Sequence, residues 1–200
     1  MAWNVRYFRA FPRRRACDGR ASVSGGVTVL AQERSCGVIP FRRDDRGGIE
    51  FLLVHSAMVR NPEAAWEFPK GSQNPGESDI ETALRELREE TTLTHVQVLP
   101  DFRDQVQYTY RREGREIEKT VIFFTGEILD WQGIPERAPT NEHGPHPRNG
   151  HWHRWGSEQQ IHRMLFHAGM RGLLDRAARF IHEFDRIQRR SRPPVVVSAP

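Results

Sequence analysis

The sequence predicts a single α/β domain in which helices flank a mixed β-sheet. Three observations carry that class. Period-2 apolar stretches and stretches of helical period follow one another irregularly along residues 33–187. Two capping-box pairs, Ser78 with Glu81 and Ser157 with Gln160, mark helix starts. The 200 residues are enough for one domain with a core, and no internal repeat divides them.

Each element follows from its residues. "SCGVIPFRR" and "IEFLLVHSA" read as two strands, joined as a hairpin by the turn-rich "DDRGG" from Asp44 to Gly48. "WEF" is a short strand ending at Pro69. A helix starts at Asp79 and runs through "DIETALRELREET", with Ile80, Ala83, Leu84 and Leu87 on one face for burial. Val106, Tyr108 and Tyr110 alternate with Gln105, Gln107 and Thr109, the pattern of a half-buried strand. "KTVIFFTGEI" is rich in β-formers and reads as a central strand. A Pro-, Gly- and His-rich loop is expected from Trp131 to Arg154. Leu173, Leu174, Ala177, Phe180, Ile181, Phe184 and Ile187 mark the buried face of a final helix, so two helices are expected to flank the sheet.

Charge is unevenly spread. Residues 1–32 carry six Arg against one Asp, and residues 186–200 carry four Arg and no acid. The intervening residues are mildly acidic, at about −5, which argues against broad nucleic-acid binding by the domain surface. Residues 1–32 are therefore expected to be a basic disordered extension, residues 33–187 the domain, and 188–200 a disordered tail after Pro193-Pro194. The extension's composition also resembles a transit peptide. No apolar run approaches the roughly 20 residues of a membrane span. Two cysteines make no disulfide framework, and a reducing, cytoplasmic setting with a monomeric chain is the expectation.

The chemistry is concentrated between Gly71 and Leu93. A Gly- and Pro-rich loop leads into a helix whose Glu86, Glu89 and Glu90 stand at i, i+3 and i+4, so their carboxylates share a face. Like charges so placed repel by a few tenths of a kcal/mol per pair, of which Arg85 and Arg88 can relieve a part. A hard divalent cation would relieve it better, since Mg²⁺ takes oxygen ligands and substrate phosphates together. Glu77 can reach the same cluster. A solvated acidic face is the alternative that spacing alone leaves open.

The spacing Gly71-x5-Glu77-x7-Arg85-Glu86-Leu87-Arg88-Glu89-Glu90-Thr91-Thr92-Leu93 resembles the Nudix box, Gly-x5-Glu-x7-Arg-Glu-hydrophobic-x-Glu-Glu-x-Gly-hydrophobic, at all positions but one. Thr92 stands where the family has Gly. That Gly closes the helix in a left-handed conformation, which a β-branched residue adopts at a cost of about 1 kcal/mol. "RSCGVIPFRR", "IEFLLVHS", "WEFPKG", "YTYRREGREIEKTVIFF" and "HRWGS" extend the resemblance to the asymmetrical diadenosine tetraphosphate hydrolases, over about residues 34–185. RNA pyrophosphohydrolases share the loop entry.

The resemblance implies a Nudix-type α/β/α sandwich and Mg²⁺-dependent cleavage of a phosphoanhydride, diadenosine tetraphosphate giving ATP and AMP, with Mn²⁺ as a substitute metal. It implies that Glu86, Glu90 and the Gly71 carbonyl ligate the metal, and that Glu89 ligates a further ion or acts as base. Glu77 and Arg85 orient the cluster, Lys70 and Lys119 contact phosphates, and Tyr108 stacks on adenine. Glu142, in the His-rich loop, is an uncertain further acid, because extra residues separate it from Arg154-Trp155. Its neighbouring histidines read as a solvated loop. The partner implied is a nucleotide, with no stable nucleic-acid partner and no membrane. Two other activities fit the residues: an RNA 5′-pyrophosphohydrolase using the basic tails, and a non-catalytic nucleotide sensor suggested by Thr92.

Overall fold

The computed structural model describes residues 6–7, 31–56, 66–130 and 151–191. Strand β1 is Arg6–Tyr7, β2 Ala31–Arg43, β3 Ile49–Ser56, β4 Trp66–Glu67 and β5 Lys70–Ser72. Helix α1 spans Asp79–Thr91, followed by β6 Val96–Val98, β7 Asp104–Arg112, β8 Arg115–Ile128 and β9 His151–Ser157. Helices α2, Glu158–Met164, and α3, Ala168–Ser191, close the described chain.

The main path across the sheet runs β1-β7-β8-β2-β3-β4, with β5 paired to β2, β6 to β8 and β9 to β3. The sheet is mixed because β2 runs parallel to β8 while its pairings with β3 and β5 are antiparallel. The expected hairpin forms, with Phe41 opposite Phe51. Its turn is held by the Asp44 carboxylate, which accepts from the amides of Arg46 at 2.9 Å and Gly48 at 2.6 Å.

Alternation along β2, β3 and β8 sends side chains to two cores, so these strands are apolar on both faces. Ile39, Phe41, Phe51, Leu53, Val121 and Phe123 face α2 and α3, where Ile161, Leu173, Leu174, Ala177 and Ile181 pack. Val38, Cys36, Leu52 and Ile122 face α1 through Ala83 and Leu87. Helices therefore cover both faces of the sheet.

Several expectations need correction. The loop does not extend to Arg154, because residues 151–157 form β9 and pair along β3, Val54 opposite His153. The C-terminal helix is divided: Leu165 is extended at φ −71° and ψ 114°, so α2 and α3 are separate and, among the described residues, three helices flank the sheet. Ile187 is 52% exposed, since the helix outruns the sheet beneath it. β2 begins at Ala31, ahead of the expected boundary at 33, because it is matched residue by residue against β8 from Ile117 onward, and within the extension expected to be disordered Arg6–Tyr7 pairs with β7. At the other end α3 runs to Ser191, past 187.

Candidate active site

The loop and helix start are built locally. Ser78 accepts from the Glu81 amide while its own amide donates to Glu81 Oε2 at 2.8 Å, which fixes α1 at Asp79. Asp79 is then held by Arg34 at 2.7 Å and Arg103 at 2.7 Å, tying the helix start to β2 and to the segment before β7. At the other end Thr92 is left-handed, φ 66° and ψ 0°, and donates its amide to the Arg88 carbonyl at 2.8 Å. The chain adopts the family's glycine geometry with a threonine.

Arg85 organises the acidic face. Its Nε donates to Glu77 Oε1 at 2.7 Å, Nη1 to Glu86 Oε1 at 2.8 Å and to Glu89 Oε2 at 3.2 Å, and Nη2 to the Ser72 carbonyl at 2.8 Å. Glu77 also accepts from Thr82 Oγ1 at 2.9 Å and the Asn74 amide at 3.0 Å. The Arg85 hydrogen bond, then the Asn74 amide, hold the Glu77 carboxyl well below the usual carboxylate range. Glu77 is thus a permanent anion that fastens the loop to the helix.

Glu86 and Glu90 are brought against β5. A Cβ at Gly71 would overlap the Glu86 carboxylate, so this approach requires a glycine. Glu90 Oε2 accepts from the Lys70 amide at 3.1 Å. Burial pushes the Glu90 carboxyl up to about 7, against the pull of Lys70, and the Glu67 and Glu86 carboxylates add to the rise. Glu89 is the outermost of the three, with a side chain 53% exposed.

Beyond the helix lies a second group. The Lys70 ammonium is 2.7 Å from Glu67 Oε1. Burial depresses its pKa, but Glu67, with Tyr108 and Glu90 adding to it, more than offsets this and holds it above the ordinary lysine value. Lys119 is lowered, by burial first and then by Lys70. Tyr108 lies opposite Lys119 across the β7–β8 pairing, packs partly buried against the larger core, and has its ring centroid 6.2 Å from that of Tyr110. The structure therefore gathers Lys70, Lys119 and Tyr108 around one region and joins it to Glu90 through Lys70.

Sequence reasoning missed three members. Glu67 pairs with Lys70, and in the non-helical "EFPK" no periodicity signals that they meet. Glu33 accepts from Tyr110 Oη at 2.6 Å and Arg112 at 2.5 Å and lies 3.9 Å from the Lys119 ammonium, a contact made only by sheet pairing. His153 is buried and bonds the Glu90 carbonyl at 2.8 Å, so this histidine is not part of a solvated loop. Glu142 lies outside the described residues.

Among the described residues, no three acidic, histidine or cysteine side chains are set to hold a metal ion as they stand. Glu86 and Glu89 are turned to Arg85, and Glu90 to the Lys70 amide. The donor set is nonetheless of hard oxygens, with one part-buried carboxylate, Glu90, that a cation would stabilise, and it fits a divalent ion of the Mg²⁺ type.

A mixed sheet covered by helices on both faces, with a loop–helix bearing paired glutamates against a glycine, defines a Nudix domain. The chain belongs to that family: the NUDIX domain model matches residues 31–176. Among curated proteins it is 39% identical, over 105 residues, to the mouse asymmetrical bis(5′-nucleosyl)-tetraphosphatase, covering 49% of this chain and 67% of the mouse protein. It is 33% identical to a Sulfurovum RNA pyrophosphohydrolase over only 66 residues, 33% of this chain and 40% of that protein. The crystal structure of a C. elegans Ap4A hydrolase binary complex superposes with a TM-score of 0.56 at 23% identity, over 76% of this chain and 98% of that one. At that identity the superposition speaks for the fold.

Proposed function

We propose that this Nudix hydrolase cleaves diadenosine tetraphosphate asymmetrically, to ATP and AMP, using a divalent cation of which Mg²⁺ is the natural choice. The observation that carries the reading is the convergence of Glu86 and Glu90 on one short strand, β5, where Gly71 admits the first and the Lys70 amide binds the second. The similarity to the mouse tetraphosphatase supports the dinucleotide over an RNA 5′ end, since the RNA pyrophosphohydrolase similarity spans less of both chains.

In this reading Glu86, Glu90 and the Gly71 carbonyl hold the cation, which when bound supplies positive charge to the phosphate oxygens and to the attacking water. Glu89, the most exposed carboxylate of the cluster, is free to rotate from Arg85 and take a proton from water or a further ion. Glu77 and Arg85 keep the loop at its distance from the helix. Lys70 and Lys119 position the polyphosphate as point charges, and their partial burial lowers the further desolvation that contact with phosphate costs. Tyr108 offers a ring to one adenine. The same reading makes the chain a monomeric enzyme of the reducing cytosol, supported by a composition with only two cysteines.

A substrate panel tests it. Diadenosine tetraphosphate, shorter and longer homologues, nucleoside triphosphates and 5′-triphosphorylated RNA are incubated with Mg²⁺ and the products separated by chromatography. ATP with AMP from the tetraphosphate as the fastest turnover is the expected result. Faster release of pyrophosphate from RNA would transfer the assignment to the RNA enzyme.

A further inference from the structure

A buried hydroxyl of the sheet is left without a partner, and it lies among the cations of the site. Ser35, on β2, is 1% exposed, and among the described residues nothing hydrogen-bonds its Oγ. Alternation along β2 places Glu33, Ser35, Gly37 and Ile39 on the face turned towards α2 and α3. Lys119 is opposite Glu33 on β8, and Lys70 is opposite Gly37 on β5, so the two lysines stand on that face as diagonal neighbours of Ser35. Directly across from Ser35 are Val121, which is apolar, and Ser72, which is exposed and opens the face to solvent. A Cβ at Gly37 would stand 2.7 Å from the Lys70 Cβ, so Lys70 lies close against β2. Glu33 does not serve the hydroxyl, since its oxygens take Tyr110 and Arg112. A hydroxyl shut away from water with no partner is costly to the fold.

We propose that Ser35 is a phosphate-binding residue of the site, its hydroxyl donating to an oxygen of the substrate's polyphosphate chain between Lys70 and Lys119. Phosphate oxygens only accept, and a rotatable O–H flanked by two cations is the complement of an anionic acceptor. In the empty site the ammonium groups face carboxylates, Lys70 with Glu67 at 2.7 Å and Lys119 with Glu33 at 3.9 Å. Turning either long side chain towards a phosphate uncovers the hydroxyl beside it. A hydrogen bond withheld until the anion arrives favours the polyphosphate over the nucleoside, so Ser35 also sets specificity. The assignment rests on the reading of Lys70 and Lys119 as phosphate contacts.

The test compares Ser35→Ala, Ser35→Cys and Lys119→Ala with the wild type. Each is titrated calorimetrically with inorganic tripolyphosphate and with adenosine, and unfolded in urea without ligand. Ser35→Ala is expected to weaken tripolyphosphate binding about tenfold, the worth of one hydrogen bond to a charged group, and to leave adenosine within about twofold. Its urea midpoint is expected at or above the wild-type value, because the unpartnered hydroxyl is gone. Ser35→Cys, which fills the same space with a weak donor, is expected to bind tripolyphosphate as poorly as Ser35→Ala. Wild-type affinity in either Ser35 variant, an equal loss for adenosine, or a lowered midpoint in Ser35→Ala overturns the proposal. If that happens while Lys119→Ala still loses tripolyphosphate, the phosphate reading of the face survives without Ser35. If the wild type binds no tripolyphosphate, both fail. A Ser35 effect on tripolyphosphate in a chain that does not turn over diadenosine tetraphosphate upholds the Ser35 assignment and removes the proposed activity.

Discussion

Arg85 Nε lies 2.7 Å from Oε1 of Glu77, eight residues earlier, and its Nη2 reaches the Ser72 carbonyl at 2.8 Å. One guanidinium thus closes the loop onto the helix by its fork geometry, and a point-charge ammonium could not make both contacts. Arg85→Lys is expected to keep the fold, because the core residues Ala83 and Leu87 are untouched, but to loosen residues 72–77 and lower kcat/KM by roughly tenfold to a hundredfold. Steady-state kinetics beside a circular-dichroism spectrum checks it, and an unchanged kcat/KM would show the fork to be dispensable.

On the proposed reading, Glu90→Gln removes a cation ligand while keeping an oxygen to accept from the Lys70 amide. The fold should survive, and kcat should fall roughly a hundredfold or more. Glu86→Gln should behave alike. Wild-type turnover in a folded Glu90→Gln chain would remove Glu90 from the site.

Thr92→Gly relieves a left-handed β-branched residue. Stability should rise by up to about 1 kcal/mol in a urea titration, with activity within a few-fold because no ligand changes. An inert wild type activated by this substitution would favour the sensor reading of the domain.

Tyr108→Ala and Lys119→Ala separate the two candidate substrates. Base–aromatic stacking contributes about 1–3 kcal/mol, so Tyr108→Ala should raise the KM for diadenosine tetraphosphate roughly tenfold or more. Lys119→Ala should lower kcat/KM through lost phosphate positioning. Both variants at wild-type kcat/KM on the dinucleotide, with RNA the faster substrate, would reject the dinucleotide.

Asp79 is expected to contribute to the acid sensitivity of the fold. Burial would raise its pKa, but hydrogen bonds from Arg34 and Arg103 outweigh that and hold it below the ordinary 3.8. A carboxyl lowered in the folded state binds fewer protons than in the unfolded chain near that pH, so stability is lost as pH falls. The contribution is fully present above about pH 5 and disappears as pH drops through the folded value. Denaturation midpoints between pH 6 and about pH 3 should fall less steeply for Asp79→Asn than for the wild type. Parallel pH curves for the two chains would show that Asp79 is not the group responsible.

The sequence by itself determined what is local or periodic. Capping at Ser78 and Ser157, the helix from Asp79 and the strand through Val106, Tyr108 and Tyr110 depend on neighbours within four residues and stand in the structure, although the alternation of burial holds only around Val106 and gives way to uniform partial burial from Tyr108 to Tyr110. The acidic cluster was legible for the same reason, because i, i+3 and i+4 spacing brings Glu86, Glu89 and Glu90 together wherever the helix lies. Tertiary structure alone decided the long-range pairings. Glu33 reaches Tyr110 and Arg112 across 77 and 79 positions, and His153 reaches the Glu90 carbonyl across 63. Residues 151–154 were read as loop because Pro, Gly and His crowd the segment before them, and only the open edge of β3 makes a strand of them. Propensity is a short-range quantity, and the hydrogen bonds of a sheet are satisfied by whichever distant backbone the fold brings alongside.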